Sequence, residues 1–370
     1  MNGVNGEKPS IWGETRMDMR RILNSYGTPA AIAAACAMSM AAAPAVAQGK
    51  IEAKISSTAG PDSINTIEMD MFAKLVDLYT NGSVDGKVFT LAQLGKERAQ
   101  LEGLVLGTHD VFLHISSITG KFPSVRFWDL PFLFTNMQQV SRVVGSPMRA
   151  ELEQAMDCQG MVYLSTVGYG YRQFTIRNKP YNAPSDLVGQ KHRIPGGKSK
   201  QMLFEALGAN VSTVSFVELY QGLGSGVVDS QDNPLGIIYT SKFHEVTNYL
   251  SVLNYNYNPN LIIGSKVWFE KLTPEQQKIL KSTSVQLEGW SIMAADKDDA
   301  EYLAKIQQDK PSMKVNYLDE KTLPEWREKA KPVYEAFREE TGKAWSDAVF
   351  KLIDGGQWDK PGKASLASCK

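Results

Sequence analysis

The alternation of apolar and polar residues in this chain switches repeatedly between a period of two and a period near 3.6, as interleaved strands and helices require. Lys50 to Ser57 alternates Ile51, Ala53 and Ile55 with polar positions and predicts a first strand. Thr66 to Tyr79 puts Met69, Phe72, Ala73, Val76 and Tyr79 on one helical face. Val84 to Leu91 predicts a strand, Lys96 to Leu106 a helix closed by Gly107, and Asp110 to Ser116 an apolar strand. Gln138 to Met156 predicts one helix, and Met161 to Thr166 a strand. From Gly189 to Pro234 the order is strand, helix, strand, helix, strand. Lys191–Ile194 is the first strand; Met202, Leu203, Ala206 and Leu207 face one side of a helix stopped by Gly208; Val211–Ser215 follows. Ser215 and Glu218 have capping-box spacing for the next helix, and Gly226–Asp229 is a short strand before the polar turn Ser230–Pro234. Ser241 to Tyr249 predicts a helix and Leu250 to Tyr257 a strand, with Pro259 to Ser265 crossing back to where the chain began. Thr273 and Gln276 form a capping box with Pro274 at the first helical position, and the apolar face from Ile279 continues toward Ile306. That is a helix of about thirty residues, roughly 45 Å. A late strand, Val315–Tyr317, and helices at Pro324–Phe337 and Gly342–Ile353 close the chain, and residues after Gly355 form a frayed tail.

This pattern is α/β, and such sheets hold ligands in the polar loops at their strand ends. The 370 residues exceed what one small core spans, which favours two lobes. Lys+Arg and Asp+Glu are 40 each, so the net charge is zero, and no basic tract or basic-aromatic stripe points to nucleic acid. Cys36, Cys158 and Cys369 form no CxxC or Cys/His cluster, and His109, His114, His192 and His244 lack metal-ligand spacing; no metal or cofactor is expected. Cys158 and Cys369 are available to pair in an oxidising compartment or to stay free thiols. Near the start, Met17–Arg21 is a charged cluster, Thr28–Ala43 is small and apolar, and Ala45-Val46-Ala47 fits a signal-peptidase site before Gln48. The expectation is export through a cleaved signal, rather than a lipid-anchored start at Cys36. The apolar run Phe127–Phe134 is expected in the core rather than at a membrane.

No G-x-S-x-G elbow, H-E-x-x-H or P-loop occurs, and the glycines around Tyr169 and Gly224 lack the context of a dinucleotide fingerprint, so an enzyme is not expected. A receptor for an anion is the alternative. Arginine offsets the desolvation of a carboxylate best, with two parallel charge-assisted bonds and a permanent charge. Arg193 sits at a strand end before the Pro195-Gly196-Gly197 break, and Arg172 lies 21 residues earlier. Spacing alone leaves a surface or hinge ion pair as the competing role for both.

The motifs KHRIP (191–195), ALGA (206–209), FVELY (216–220) and GVVDSQDNP (226–234), in this order and spacing, resemble the signature of the DctP-type solute receptors of TRAP transporters. GKERAQLEGLVLGTHDV, DLPFLF and KFHEVTNYLS are also similar, so the resemblance runs from about Lys50 to about Ile353. It implies a two-lobed, periplasmic-binding-protein-like (type II-like) α/β fold with a cleft between the lobes and a long helix spanning both. The implied organisation is 1–47 extension and signal peptide, 48–170 first part of lobe I, 171–258 main part of lobe II, 259–298 second part of lobe I with the spanning helix, 299–355 closing elements and 356–370 tail. It also implies a monomeric periplasmic receptor that takes up a small organic acid, closes by a hinge and delivers its ligand to a small and a large membrane subunit. Ligand contacts are expected from Arg193 foremost, then Arg172, Asn233, Phe216 against the carbon skeleton, and His114 and Ser116 at the end of the third strand. Sialic-acid-binding members carry a Glu near that strand end; Ile115 and Ser116 stand here and argue against that ligand. A sugar acid such as a uronate or aldonate is the first choice and a C4-dicarboxylate the second. An exported isomerase or lyase and a ligand receptor for a sensor kinase remain as readings from other classes.

Overall fold

The computed structural model describes residues 50–114, 116–359 and 361. The expected signal segment, with Cys36, lies outside them, as does most of the expected tail 356–370, with Cys369; of that tail, Trp358 packs against Trp345 at 5.3 Å. Cys158 takes part in a disulfide.

In chain order the elements are β1 (Ile51–Ser56), α1 (Ile64–Tyr79), β2 (Val84–Phe89), α2 (Glu97–Leu106), β3 (Val111–His114), α3 (Ser116–Lys121), α4 (Met137–Val144) and α5 (Arg149–Asp157). Then come β4 (Met161–Ile176), β5 (Lys191–Ile194), α6 (Lys198–Ala206), β6 (Asn210–Thr213), α7 (Leu219–Ser225), β7 (Ser230–Asn233), α8 (Leu235–Thr240) and β8 (Tyr249–Ser265). The chain continues through α9 (Lys266–Phe269), α10 (Pro274–Asp309), β9 (Lys314–Tyr317), α11 (Leu323–Thr341) and α12 (Lys343–Ile353).

The strands lie in the order β2-β1-β3-β8-β4-β7-β5-β6, with β9 also on β8. The antiparallel pair β4 and β8 is long enough to serve both lobes. β3 pairs with the far end of β8, Leu261–Gly264, and carries β1 and β2 in parallel. β7 pairs with the far end of β4, Gln173–Ile176, and carries β5 and β6 in parallel. Each lobe is therefore a small parallel sheet with helical crossovers, and the two are joined through a shared two-stranded ribbon. The β4–β8 register slips between Val167 and Gly170, opposite Asn258 to Asn260.

Four elements differ from their sequence expectation. The chain does not break at Pro259: β8 is one strand of 17 residues. Proline lacks a ladder donor, and Pro259 falls opposite the register slip, where the ladder is already interrupted. The single helix expected over 138–156 is two, α4 and α5, separated at Gly145-Ser146-Pro147, since proline disfavours helix in the residue before it. The strand expected at Gly226–Asp229 lies instead at Ser230–Asn233, an all-polar, fully buried segment whose backbone is paired on both sides by β4 and β5. The helix expected at 241–249 is one 3-10 turn, Phe243–Val246, entered through Lys242 at φ 60°. In addition, β3 stops at His114, and Ser116 opens α3.

α10 has 36 residues and spans about 54 Å at 1.5 Å per residue. Its Thr273/Gln276 capping box is made: Thr273 Oγ1 accepts from Gln276 N (3.2 Å) and Gln276 Oε1 from Thr273 N (2.9 Å). Its first half buries Leu280 and Leu287 with Phe72, Val111 and Leu164 in one lobe. Its last turns bury Ile306 with Leu219, Phe243 and Leu250 in the other. Phe127, Trp128, Leu130 and Phe134 are buried in a third core that underlies both sheets, with Trp128 stacked on Phe134 at 4.7 Å.

Candidate functional site

Three parallel strands of the second lobe end on the cleft, and the third strand of the first lobe ends opposite them. Arg193 and Pro195 stand at the end of β5, Asn233 closes β7, and Phe216 opens the 3-10 turn after β6. His114 ends β3; Tyr169 and Arg172 come from the crossing stretch of β4, and Asn260 from that of β8. Glu97, the first residue of α2, completes a narrow cavity lined by these residues. Its free volume, about 20 Å³, is about the room of one water molecule.

Five side chains singled out from the sequence, Arg193, Arg172, Asn233, Phe216 and His114, thus meet on one cavity. Ser116 is placed only by its backbone at the start of α3; its side chain lies outside the described structure. Glu97, Tyr169, Pro195 and Asn260 were not expected there. Tyr169 sits between two glycines in a strand, a place where the backbone is crowded, but Glu97 reads locally only as an acidic residue in a first helical turn, favoured by the helix dipole.

The two arginines differ in what surrounds them. Arg172 Nε donates to Asp232 Oδ2 and its Nη2 donates to the Asp232 carbonyl oxygen, all fully buried. Tyr255 OH donates to the same Oδ2 at 2.6 Å, and Lys200 Nζ and His192 Nε2 lie 3.7 and 3.4 Å from the carboxylate. Burial opposes ionisation of Asp232, but the Arg172 and Lys200 charges outweigh it and hold the carboxyl well below the usual range. Burial pushes Lys200 down to about 8, with Arg172 adding to the effect. Asp232 alternates in β7 with Gln231 and Asn233, so its side chain points to the opposite face from theirs and fixes Arg172 from behind.

Arg193 has no such partner. Its Nε donates to the Val214 carbonyl at 2.8 Å, while the buried Nη2 has no hydrogen-bond partner. Burial lowers its pKa to about 10, which still leaves it protonated at neutral pH; Glu97 opposes the shift. The Nε2 of His114 is also buried without a partner. Burial drives this imidazole down to about 4, opposed by Glu97 and reinforced by Arg193 and Arg172, so it is neutral. Asn233 is held on both ends: its Oδ1 accepts from Tyr169 OH at 3.1 Å, and its Nδ2 donates to Gln231 Oε1. At the mouth, Glu97 Oε1 accepts from Phe216 N at 3.2 Å and Lys96 Nζ reaches Glu218 Oε1 at 2.7 Å, two contacts that bridge the lobes.

A guanidinium with a free, buried donor in a cleft between two lobes is equipped to take the charge of an anion. The family model of the bacterial extracellular solute-binding proteins, family 7 (DctP), matches residues 55–341. The chain belongs to this family, the solute receptors of TRAP transporters. Among family 7 relatives, the C4-dicarboxylate-binding periplasmic protein DctP of Rhodobacter capsulatus is 28% identical over 326 residues, 87% of this chain and 95% of that protein. The sugar acid binding protein DctPAm of Advenella mimigardefordensis, solved in complex with galactonate, has a TM-score of 0.77 at 25% identity and covers 83% of this chain and 98% of its own. A TRAP periplasmic solute binding protein of Sulfurospirillum deleyianum with bound succinate has a TM-score of 0.76 at 27% identity, covering 84% and 100%. Members of family 7 are transport receptors rather than enzymes. Among the described residues, no helix is long and apolar enough to cross a membrane.

Proposed function

We propose that this family 7 receptor captures a small organic acid, in first place a sugar acid such as an aldonate or uronate, and passes it to the small and large TRAP membrane subunits. The observation that carries this reading is Arg193, a protonated guanidinium whose buried Nη2 faces the cavity unpaired. Its role is to bind the ligand carboxylate, an ion pair stronger than one in water because the guanidinium is buried. Tyr169, Asn233, Asn260 and His114 supply polar atoms for hydroxyls, and Phe216 a flat apolar wall. The galactonate complex of the Advenella receptor supports the sugar-acid choice. A C4-dicarboxylate is the second reading, favoured by two arginines on one cavity and by the succinate-bound relative.

The cavity is far smaller than the several hundred Å³ usual for ligand sites, which supports entry by lobe separation and capture by closure. In this reading the chain divides near 170/171 and 258/259, where β4 and β8 pass between lobes, and the protein acts in the periplasm after loss of residues 1–47. A thermal-shift screen of organic acids tests it. A true ligand at about 100 times its Kd adds about 2.7 kcal/mol of stability, whereas a panel of sugar acids and dicarboxylates that leaves the melting temperature unchanged removes the proposal.

A further inference from the structure

Building on the receptor reading above, we propose that Glu97 is the specificity-determining residue: it admits an acid with one carboxylate and a hydroxyl donor, and it rejects dicarboxylates. The charge balance of the cavity carries this. Arg172 is compensated by Asp232, which holds it through both a carboxylate oxygen and a carbonyl. His114 is uncharged. Arg193 is then the cation among the lining residues that keeps a free buried donor, and Glu97, the one anion among them, offsets its charge only from a distance. Arg172 and Lys200 are both held on Asp232, so once a ligand carboxylate pairs with Arg193, no other buried guanidinium donor among the described residues is left unpaired for a second one.

Glu97 cannot easily withdraw. Its Oε1 accepts the backbone N–H of Phe216 from across the cleft, so closure fixes the carboxylate in the wall and leaves its other oxygen for a donor from the ligand. A hydroxyl provides that donor. A second carboxylate provides none and would be buried beside a like charge, which costs several kcal/mol in a desolvated contact. Two arginines on one cavity suggest a dicarboxylate only while Asp232 and Glu97 are left out of the count.

Calorimetry on the purified receptor and on Glu97→Gln decides the matter. Erythronate and succinate are the matched probes, equal in carbon number but with one and two carboxylates; longer aldonates, uronates, malate and fumarate complete the panel. Glutamine keeps the shape and the acceptor to Phe216, so the unliganded melting temperature should not move. The wild type should bind its best hydroxy monocarboxylate at least about tenfold tighter than any dicarboxylate, and Glu97→Gln should shift that ratio toward dicarboxylates by at least about tenfold. A wild type that prefers a dicarboxylate overturns this inference alone, as does a ratio that Glu97→Gln leaves unchanged. A wild type that binds no acid in the panel overturns the receptor reading instead.

Discussion

At the scale of single residues, the site contrasts a solved charge with an unsolved one. Asp232 neutralises Arg172 and touches Lys200, His192 and Tyr255, so it is the buried centre of a network. Asp232→Asn leaves Arg172 and Lys200 as buried cations without a counter-ion and should cost about 3–5 kcal/mol of stability; urea denaturation measures it, and a loss under about 1 kcal/mol would show the network to be dispensable. Arg193 is different, because nothing in the protein depends on its free Nη2. Arg193→Ala should weaken binding of the identified acid by about 2–5 kcal/mol with little loss of fold, and Arg193→Lys by less, since lysine keeps charge but not the two-pronged geometry. Wild-type affinity in a folded Arg193→Ala would make the residue structural. His114 adds a pH dependence. The unfolded chain takes up a proton near pH 6.5 and the folded one only near 4, so the neutral imidazole favours the fold above about 6.5 and that stability is lost as the pH falls toward about 4. The slope is at most about 1.4 kcal/mol per pH unit for one group. His192, also held neutral by burial against the pull of Asp232, adds a second contribution. His114→Gln should therefore flatten the melting-temperature profile in that window in part; an unaltered profile would show that His114 does not supply it.

Among the elements, β4 and α10 matter most, because each serves both lobes. They meet at Gly168, whose N–H donates to Ser291 Oγ, and a Cβ there would collide with the Ser291 carbonyl oxygen. That neighbour is helix backbone and cannot turn away. Gly168→Ala should cost about 1–3 kcal/mol, as overpacking does, and should slow or weaken ligand capture if the crossing ribbon bends there; calorimetric melting and stopped-flow binding read the two effects separately. An alanine variant that melts and binds like wild type would mean the contact yields freely. The capping box of α10 was legible because it is local: four consecutive residues contain the whole device. The strand Ser230–Asn233 was not, because an all-polar segment enters a core only when neighbouring strands pair its backbone and partners such as Arg172 and Tyr181 meet its side chains.

For the whole molecule, the proposed function rests on motion between the lobes. The bridging contacts at the mouth are few, and the Lys96–Glu218 pair is exposed and screened by solvent, so it contributes little. Ligand, rather than these contacts, should then decide closure. Small-angle scattering should show a smaller radius of gyration on adding a saturating acid; an unchanged radius would point to a rigid pocket. Lys96→Ala should leave affinity within about fivefold, which the same calorimetry checks.

Most of the order of strands and helices, the cap of α10 and the strand end at Arg193 follow from the sequence itself, because periodicity, turn residues and short-range capping act over a few neighbouring positions. The meeting of His114, Arg172, Arg193, Phe216 and Asn233 was expected from the family resemblance rather than from local pattern. What each of them faces was not. Asp232 lies 60 positions from Arg172, and Glu97 bonds a backbone amide 119 positions away. Such encounters depend on sheet order and on how the lobes come together, and electrostatics among buried groups is set by those encounters rather than by residue type. The tertiary structure alone therefore decided which arginine is spent and which is free.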